Sequence, residues 1–266
     1  MSNDTTSKVP HVVILGAGYA GALCTRSLEA AVKNGHVRVT VLERRDGMHH
    51  KIGSIRASVL GGEHIDRVRI PFARIFSFAK LVECDIESID PQTQTVKLRR
   101  NDNPIHYDIL LCATGQASQC IGDLPPSVRG KDQVRTYFKS TSDVIRASQN
   151  IVIAGGGPSA IEFAGEIRAQ FSDKKITIVC SSAHLLSSSV SRPPAKFFRS
   201  VYKLLVEQNI GLIRGEKVIS PTPSDFPADQ KYLAQPGLQI KTDSGHVLEC
   251  DLLLWVFVLS TLLHRY

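Results

Sequence analysis

Val12-Val13-Ile14-Leu15-Gly16-Ala17-Gly18-Tyr19-Ala20-Gly21 reads as a short apolar strand running straight into a glycine turn. Ile151-Val152-Ile153-Ala154-Gly155-Gly156-Gly157-Pro158-Ser159-Ala160 repeats the pattern in the second half of the chain. Glycines at this spacing let the backbone approach a pyrophosphate, and the positive end of the following helix then faces the phosphate charge. One such string is weak evidence, because glycine turns are common. Two, each at a strand-to-helix junction, predict two dinucleotide sites on an α/β fold of paired Rossmann-like units.

The flanking residues support both turns. Ala22, Leu23, Leu28 and Ala31 fit one helical stripe, which Gly35 ends. Val37, Val39 and Val41 then alternate into a strand ending at Glu43, about 20 residues past the turn, where a carboxylate can accept hydrogen bonds from a ribose. The alternative for Glu43 is an ordinary exposed carboxylate at a strand end. In the second unit Ile161, Phe163, Ala164 and Ile167 mark the helix, and Ile176, Ile178 and Cys180 the strand. The acid is missing there. Cys180, Ser181 and Ser182 stand where an NAD site usually carries Glu or Asp, and no arginine follows at once to hold a 2′-phosphate, so NADH and NADPH both stay open.

At 266 residues the chain is long enough for two domains, and 42% hydrophobic with 21% charged residues makes it globular. The six cysteines are scattered with no close pair, as expected of reduced thiols in an intracellular protein, which disfavours redox chemistry through a neighbouring disulfide. Residues 1–10 lack the apolar core of a secretory signal, and Ser2 excludes N-myristoylation. The longest apolar run, residues 252–263, would reach about 18 Å as a helix against a hydrocarbon core of about 30 Å. A cytoplasmic chain without a membrane span is therefore expected.

The net charge of +7 gathers in residues 44–74, where Arg44, Arg45, Lys51, Arg56, Arg67, Arg69 and Arg74 outnumber Asp46, Glu63 and Asp66. A solvated basic surface that also neutralises cofactor phosphates is one account; a docking patch for the anionic surface of an organelle or lipid droplet is another. Few aromatics interleave with the charges, which disfavours nucleic acid as a partner. His49-His50 has no second cluster at ligand spacing, so no metal site is expected.

Beyond residue 81 the first half continues as short strands, ending in a buried strand and Ala113-Thr114-Gly115, which would bring close-approach backbone back to the first turn. The second half echoes this with a helix over residues 194–208 and strands over residues 210–213, 218–219, 238–242 and 249–255. Residues 121–139 read as the crossing between domains, and Pro221, Pro223, Pro227 and Pro236 as a loose insertion.

This order, with His49-His50-Lys51-Ile52-Gly53-Ser54-Ile55-Arg56-Ala57-Ser58-Val59, Ala113-Thr114-Gly115 and Ile161-Glu162-Phe163-Ala164-Gly165-Glu166-Ile167, resembles the FAD- and NAD(P)-dependent pyridine nucleotide oxidoreductases. Within them it is similar to the apoptosis-inducing-factor-2-like and ferroptosis-suppressor NAD(P)H:quinone reductases, over roughly residues 10–255. The resemblance implies two nested three-layer domains with a mostly parallel sheet and a small β-meander: an FAD domain over residues 1–120, an inserted NAD(P)H domain over 121–250, and an incomplete return over 251–266. It implies that Gly16, Gly18, Gly21, Glu43 and Arg56 hold FAD, with backbone contacts at Ile86, Thr114 and Gly115. Gly155, Gly157 and Ala160 would hold NADH or NADPH. Glu162 matches the family's acid beside nicotinamide and flavin, the candidate catalytic group; taken without the resemblance, an ordinary carboxylate at a helix N-terminus explains it equally well.

The implied reaction passes hydride from NAD(P)H to flavin and electrons to a small quinone-like acceptor, with a membrane or lipid surface as peripheral partner. The chain departs from the pattern after Trp255, where Val256-Phe257-Val258 replaces the second Ala-Thr-Gly and residues 259–266 match nothing in the family. A truncated or alternatively spliced product with weakened FAD binding is the expectation, and a catalytically silent nucleotide-binding or interaction protein is the competing function. Nothing in the sequence speaks to oligomeric state.

Overall fold

A computed structural model describes residues 8–116, 120–186, 194–227 and 229–256. The apolar run before the first turn forms strand β1 (His11–Leu15), buried at every position. The turn leads into helices α1 (Tyr19–Ser27) and α2 (Glu29–Lys33), and then β2 (Arg38–Glu43). The expected helical stripe is interrupted: the helix breaks at Leu28, Ala22 is buried, and Leu23 lies 67% exposed on the solvent side.

From β2 the chain makes an excursion through β3 (Gly47–His49), α3 (Ser54–Leu60), α4 (Glu63–Arg67) and β4 (Arg69–Pro71), with β3 and β4 paired antiparallel. It returns as β5 (Lys80–Glu83), crosses an antiparallel meander of β6 (Ile86–Asp90), β7 (Thr95–Leu98) and β8 (Asn101–His106), and ends in β9 (Ile109–Cys112). The first sheet has the order β5-β2-β1-β9, all parallel. Alternation along its strands separates two faces. Val13, Leu15 and Leu42 pack on Val96, Leu98 and Tyr107 of the meander side, while Val12, Ile14, Val39 and Val41 pack on Ala22, Met48, Phe72 and Phe76.

The second unit comprises α5 (Lys131–Ala147), β10 (Asn150–Ala154), α6 (Pro158–Gln170), β11 (Lys175–Cys180), α7 (Ala195–Glu207), β12 (Ile210–Arg214), β13 (Val218–Ser220), β14 (Tyr232–Thr242) and β15 (Val247–Trp255). Its sheet order is β12-β11-β10-β15-β14-β13, with β13 and β14 antiparallel. Two differences from the sequence reading arise here. Residues 251–255, expected in a return to the first domain, lie in the middle of the second sheet, with Leu252 opposite Ile151 and Trp255 opposite Ala154. Leu252, Leu253 and Leu254 are all buried because a central strand is covered on both faces. The proline-marked insertion is also partly ordered: Pro236 sits inside β14, where the register shifts between Ala234 and Leu238, and a bulge tolerates the missing N–H. Residues 257–266, which carry the departure from the family pattern, lie outside the described residues.

The excursion ties the units together. Ile55 and Val59 of α3 are buried in the second unit's core with Ile121, Ile145, Ala160, Phe163 and Ile167. Ala57, on another face of α3, packs with Leu124, Val134 and Phe138. The crossing is laced to the excursion by Arg45, whose guanidinium donates to the carbonyls of Val128 at 3.2 Å and Leu124 at 3.3 Å, and by Lys51, 2.8 Å from Asp123. No helix among the described residues is long and apolar enough to cross a membrane.

Candidate functional site

The two glycine turns are the same structure built twice. In the first, Gly16 N donates to Leu42 O at 2.8 Å and Ala113 N to Leu15 O at 2.8 Å. In the second, Gly155 N donates to Val179 O at 2.9 Å and Val256 N to Ala154 O at 2.9 Å. The backbone conformations explain the glycines. Gly16 (φ +89°) would place a Cβ 2.6 Å from Ala113 O, and Gly155 (φ +146°) would place one 2.3 Å from Val256 O. Val256 is thus the counterpart of Ala113, and Phe257-Val258 stand in sequence where the first unit has Thr114-Gly115.

At the first turn a Cβ on Gly21 would fall 1.9 Å from Gly16 O, so only glycine allows the helix to close on the turn. Gly18, at the α1 N-cap, has nothing among the described residues within 4 Å of its missing Cβ, leaving backbone open to an approaching phosphate. Glu43 reaches back over the turn. Its Oε2 accepts from Ala17 N at 2.7 Å, and Oε1 accepts from Arg44 N at 2.8 Å and Arg45 N at 3.1 Å. A carboxylate offers about four acceptor sites, so Glu43 keeps capacity for a ribose hydroxyl. These residues fit the adenosine diphosphate half of FAD.

The other expected FAD contacts divide. Thr114 and Gly115 (φ +77°) follow β9 beside the turn and are exposed. Ile86 opens the meander opposite Leu98, two residues beyond Cys84, whose N–H donates to Glu43 O at 2.8 Å. Arg56 is engaged elsewhere: its Nε and Nη2 donate to Glu166 Oε1 at 2.9 and 2.6 Å, bridging α3 to α6.

At the second turn Gly157 caps α6 with open space where its Cβ would be, and Ala160 is fully buried at the place of Gly21. Cys180 occupies the place of Glu43, since Val179 and Leu42 play equivalent parts in the two turns. Its thiol is buried against the turn, and a Cβ on Gly156 would lie 2.1 Å from its Sγ. Glu162 stands on the exposed side of α6, one helical turn before Glu166. Its carboxyl is pushed above the usual range by loss of water contact and by the negative charge of Glu166, and pulled partly back by Arg56. Glu162 and Glu166 lie one helical turn apart in the sequence, which carries no signal that Arg56, 110 residues from Glu166, would join them.

The basic segment is largely spent on the chain itself. Arg45 binds carbonyls, Lys51 pairs with Asp123, Arg56 with Glu166, Arg67 with Glu63, and Arg69 with Asp46. The two histidines also serve the fold. His50 Nδ1 meets Tyr19 Oη at 2.6 Å, and His49 stacks on Phe138 with Nε2 2.9 Å from Gly122 O. Burial lowers the His49 pKa to about 4, so its ring is neutral at physiological pH.

Comparison with known proteins agrees with this geometry. The chain is 27% identical over 267 residues to apoptosis-inducing factor homolog B of Dictyostelium discoideum, covering 96% of this chain and 65% of that protein. It is 27% identical over 244 residues to ferroptosis suppressor protein 1 of Xenopus tropicalis, covering 91% of this chain and 61% of the relative. The chain thus spans less than two thirds of the length of these relatives. The sulfide:quinone oxidoreductase of Aquifex aeolicus superposes with a TM-score of 0.69 at 18% identity, over 93% of this chain and 58% of that one. The family model described as pyridine nucleotide-disulphide oxidoreductase matches residues 10–257. The chain belongs to the pyridine nucleotide-disulphide oxidoreductase family, whose members bind FAD and NAD(P)H.

Proposed function

We propose that this chain carries the nucleotide-binding machinery of an NAD(P)H oxidoreductase, with FAD at the first turn, NAD(P)H at the second, and a quinone-like small molecule as final acceptor. The observation that carries the reading is the repeated turn, with the Gly16, Leu42 and Ala113 contacts reproduced at Gly155, Val179 and Val256. When bound, FAD supplies a two-electron carrier between the hydride of NAD(P)H and a quinone that leaves as quinol with two protons.

The protein's share is placement and charge. Gly16, Gly18 and Gly21 admit the first pyrophosphate, and Glu43 accepts from the first ribose. Gly155, Gly157 and Ala160 shape the second cradle. Glu162 is the polar group we assign to the nicotinamide, its pKa raised by burial and by Glu166 and pulled back by Arg56. The quinone is suggested by the acceptor named for the Aquifex aeolicus enzyme. Peripheral association with a lipid surface is supported by the exposed apolar side chains Tyr19, Leu23 and Ile52 beside the first turn rather than by the internally paired basic segment.

The test is the visible spectrum of the desalted protein, followed by anaerobic addition of NADH and then NADPH. A flavin band that bleaches supports the reading, and Glu162→Gln is expected to slow bleaching more than it weakens NAD(P)H binding. Equal effects on both would remove Glu162 from its role. Folded, colourless protein that NAD(P)H stabilises without turnover would instead identify a nucleotide-binding module.

A further inference from the structure

We propose that the second nucleotide site selects NADPH and that Arg214 holds its 2′-phosphate, an inference that rests on the second turn being the nicotinamide nucleotide site. The residue at the end of β11 decides how the adenosine ribose is met. An acid there accepts from a free 2′-hydroxyl and repels a 2′-phosphate. The equivalent residue of the first unit is Glu43; in the second it is Cys180, 3% exposed, with its thiol packed on Gly156. No carboxylate of the adjoining strand replaces it. Glu216 follows β12, but its carboxylate faces away, accepting from Thr242 Oγ1 at 2.8 Å and from His246 Nδ1 at 2.8 Å.

A cation takes that place. Arg214 ends β12 directly opposite Cys180 in the parallel register, so sheet pairing brings it beside the strand end that sequence spacing left without an arginine. Its guanidinium lies over the Tyr202 ring, 5.1 Å from the centroid, and Nη1 makes one long hydrogen bond of 3.4 Å to Ala183 O in the segment after β11. The ring attracts the group from one side, and the described contacts use one of its five N–H donors. Arg214 and Ser181 are both exposed. The site therefore combines an exposed, ring-backed guanidinium with an exposed hydroxyl and lacks the competing acid, which are the features that favour a phosphate dianion over a hydroxyl.

Calorimetric titration of the 266-residue protein with 2′-phospho-ADP-ribose and with ADP-ribose tests this without requiring flavin or turnover. The phosphorylated ligand is expected to bind about 10- to 100-fold more tightly, the range for a hydrogen bond to a charged group. Arg214→Gln, which keeps side-chain bulk over Tyr202, should abolish that margin and leave ADP-ribose affinity unchanged; Arg214→Lys should retain part of it. The margin should also shrink as ionic strength rises. Equal affinities in the unmodified protein, or a margin that survives Arg214→Gln, would overturn the inference and leave the second site standing. Folded protein that binds neither ligand would overturn both.

Discussion

Acidification should loosen this protein through one ring. His49 is half-buried, stacked on Phe138 with Nε2 on Gly122 O, and its buried Nδ1 has no hydrogen-bond partner among the described residues. Burial is the main reason its pKa falls from 6.5 to about 4. The Gly122 carbonyl and Asp123 favour the proton, while Arg45 and Lys51 oppose it. The folded-state value lies below the unfolded one, so the unfolded chain binds the proton first. The associated stability is fully present above pH 6.5 and is lost as pH falls toward 4. A separation of about 2.5 units is worth about 3 kcal/mol, of which about 2 kcal/mol should be gone by pH 5. Urea denaturation from pH 7.5 to 4.5, run beside His49→Gln, isolates this ring from the carboxylates that titrate in both proteins. The variant should start less stable, having lost its stack, and the gap should close by roughly the amounts given on acidification. Parallel stability curves would refute the reasoning.

Three further outcomes are expected. Gly156→Ala would drive a methyl to 2.1 Å from Cys180 Sγ and should cost about 1–3 kcal/mol by thermal denaturation. Cys180→Ala should recover only part of that, because Cys180 Cβ is itself 2.8 Å from the added methyl, and strict additivity in the double-mutant cycle would count against the clash. Arg56→Ala removes the cation that lowers the Glu162 pKa, so Glu162 should hold its proton to higher pH in an NMR titration; an unchanged titration would mean that Arg56 does not act on it. Glu43→Gln replaces an anion that accepts three backbone N–H groups, and should cost about 1–3 kcal/mol and reduce the flavin retained through desalting.

What the sequence disclosed was local or periodic. Both turns, the strands before them, and the exchange of Glu43 for Cys180 follow from residues lying within about 30 positions of one another, where strand and helix periods suffice. Arg56 shows where that reasoning stops. It lies in a word typical of flavin loops, yet its guanidinium is fixed by Glu166, and only the crossing of α3 over α6 makes them neighbours. Arg214 was hidden in the same way, reaching the end of β11 through parallel pairing with β12. Leu23 failed for a different reason: adjacent positions of a helix point about 100° apart, so with Ala22 turned inward Leu23 faces solvent, and the break at Leu28 leaves no single stripe through residues 22–31. The packing of α3 was hidden likewise, since Ile55 and Val59, early in the chain, enter a core built mainly from later residues.

That shared helix makes the gap between the two turns a matter of side-chain volume. Ile55 and Val59 wedge α3 against α6, the helix that begins at the second turn, while the excursion that carries them is anchored through Met48, Phe72 and Phe76 to the sheet that ends at the first. Enlarging or trimming either side chain would act on the spacing between the two turns through a core that includes Ala160 of the second turn. The fold thus ties the separation of the two turns to the packing of one helix pair, and in the proposed reaction a change in that separation would be read as rate.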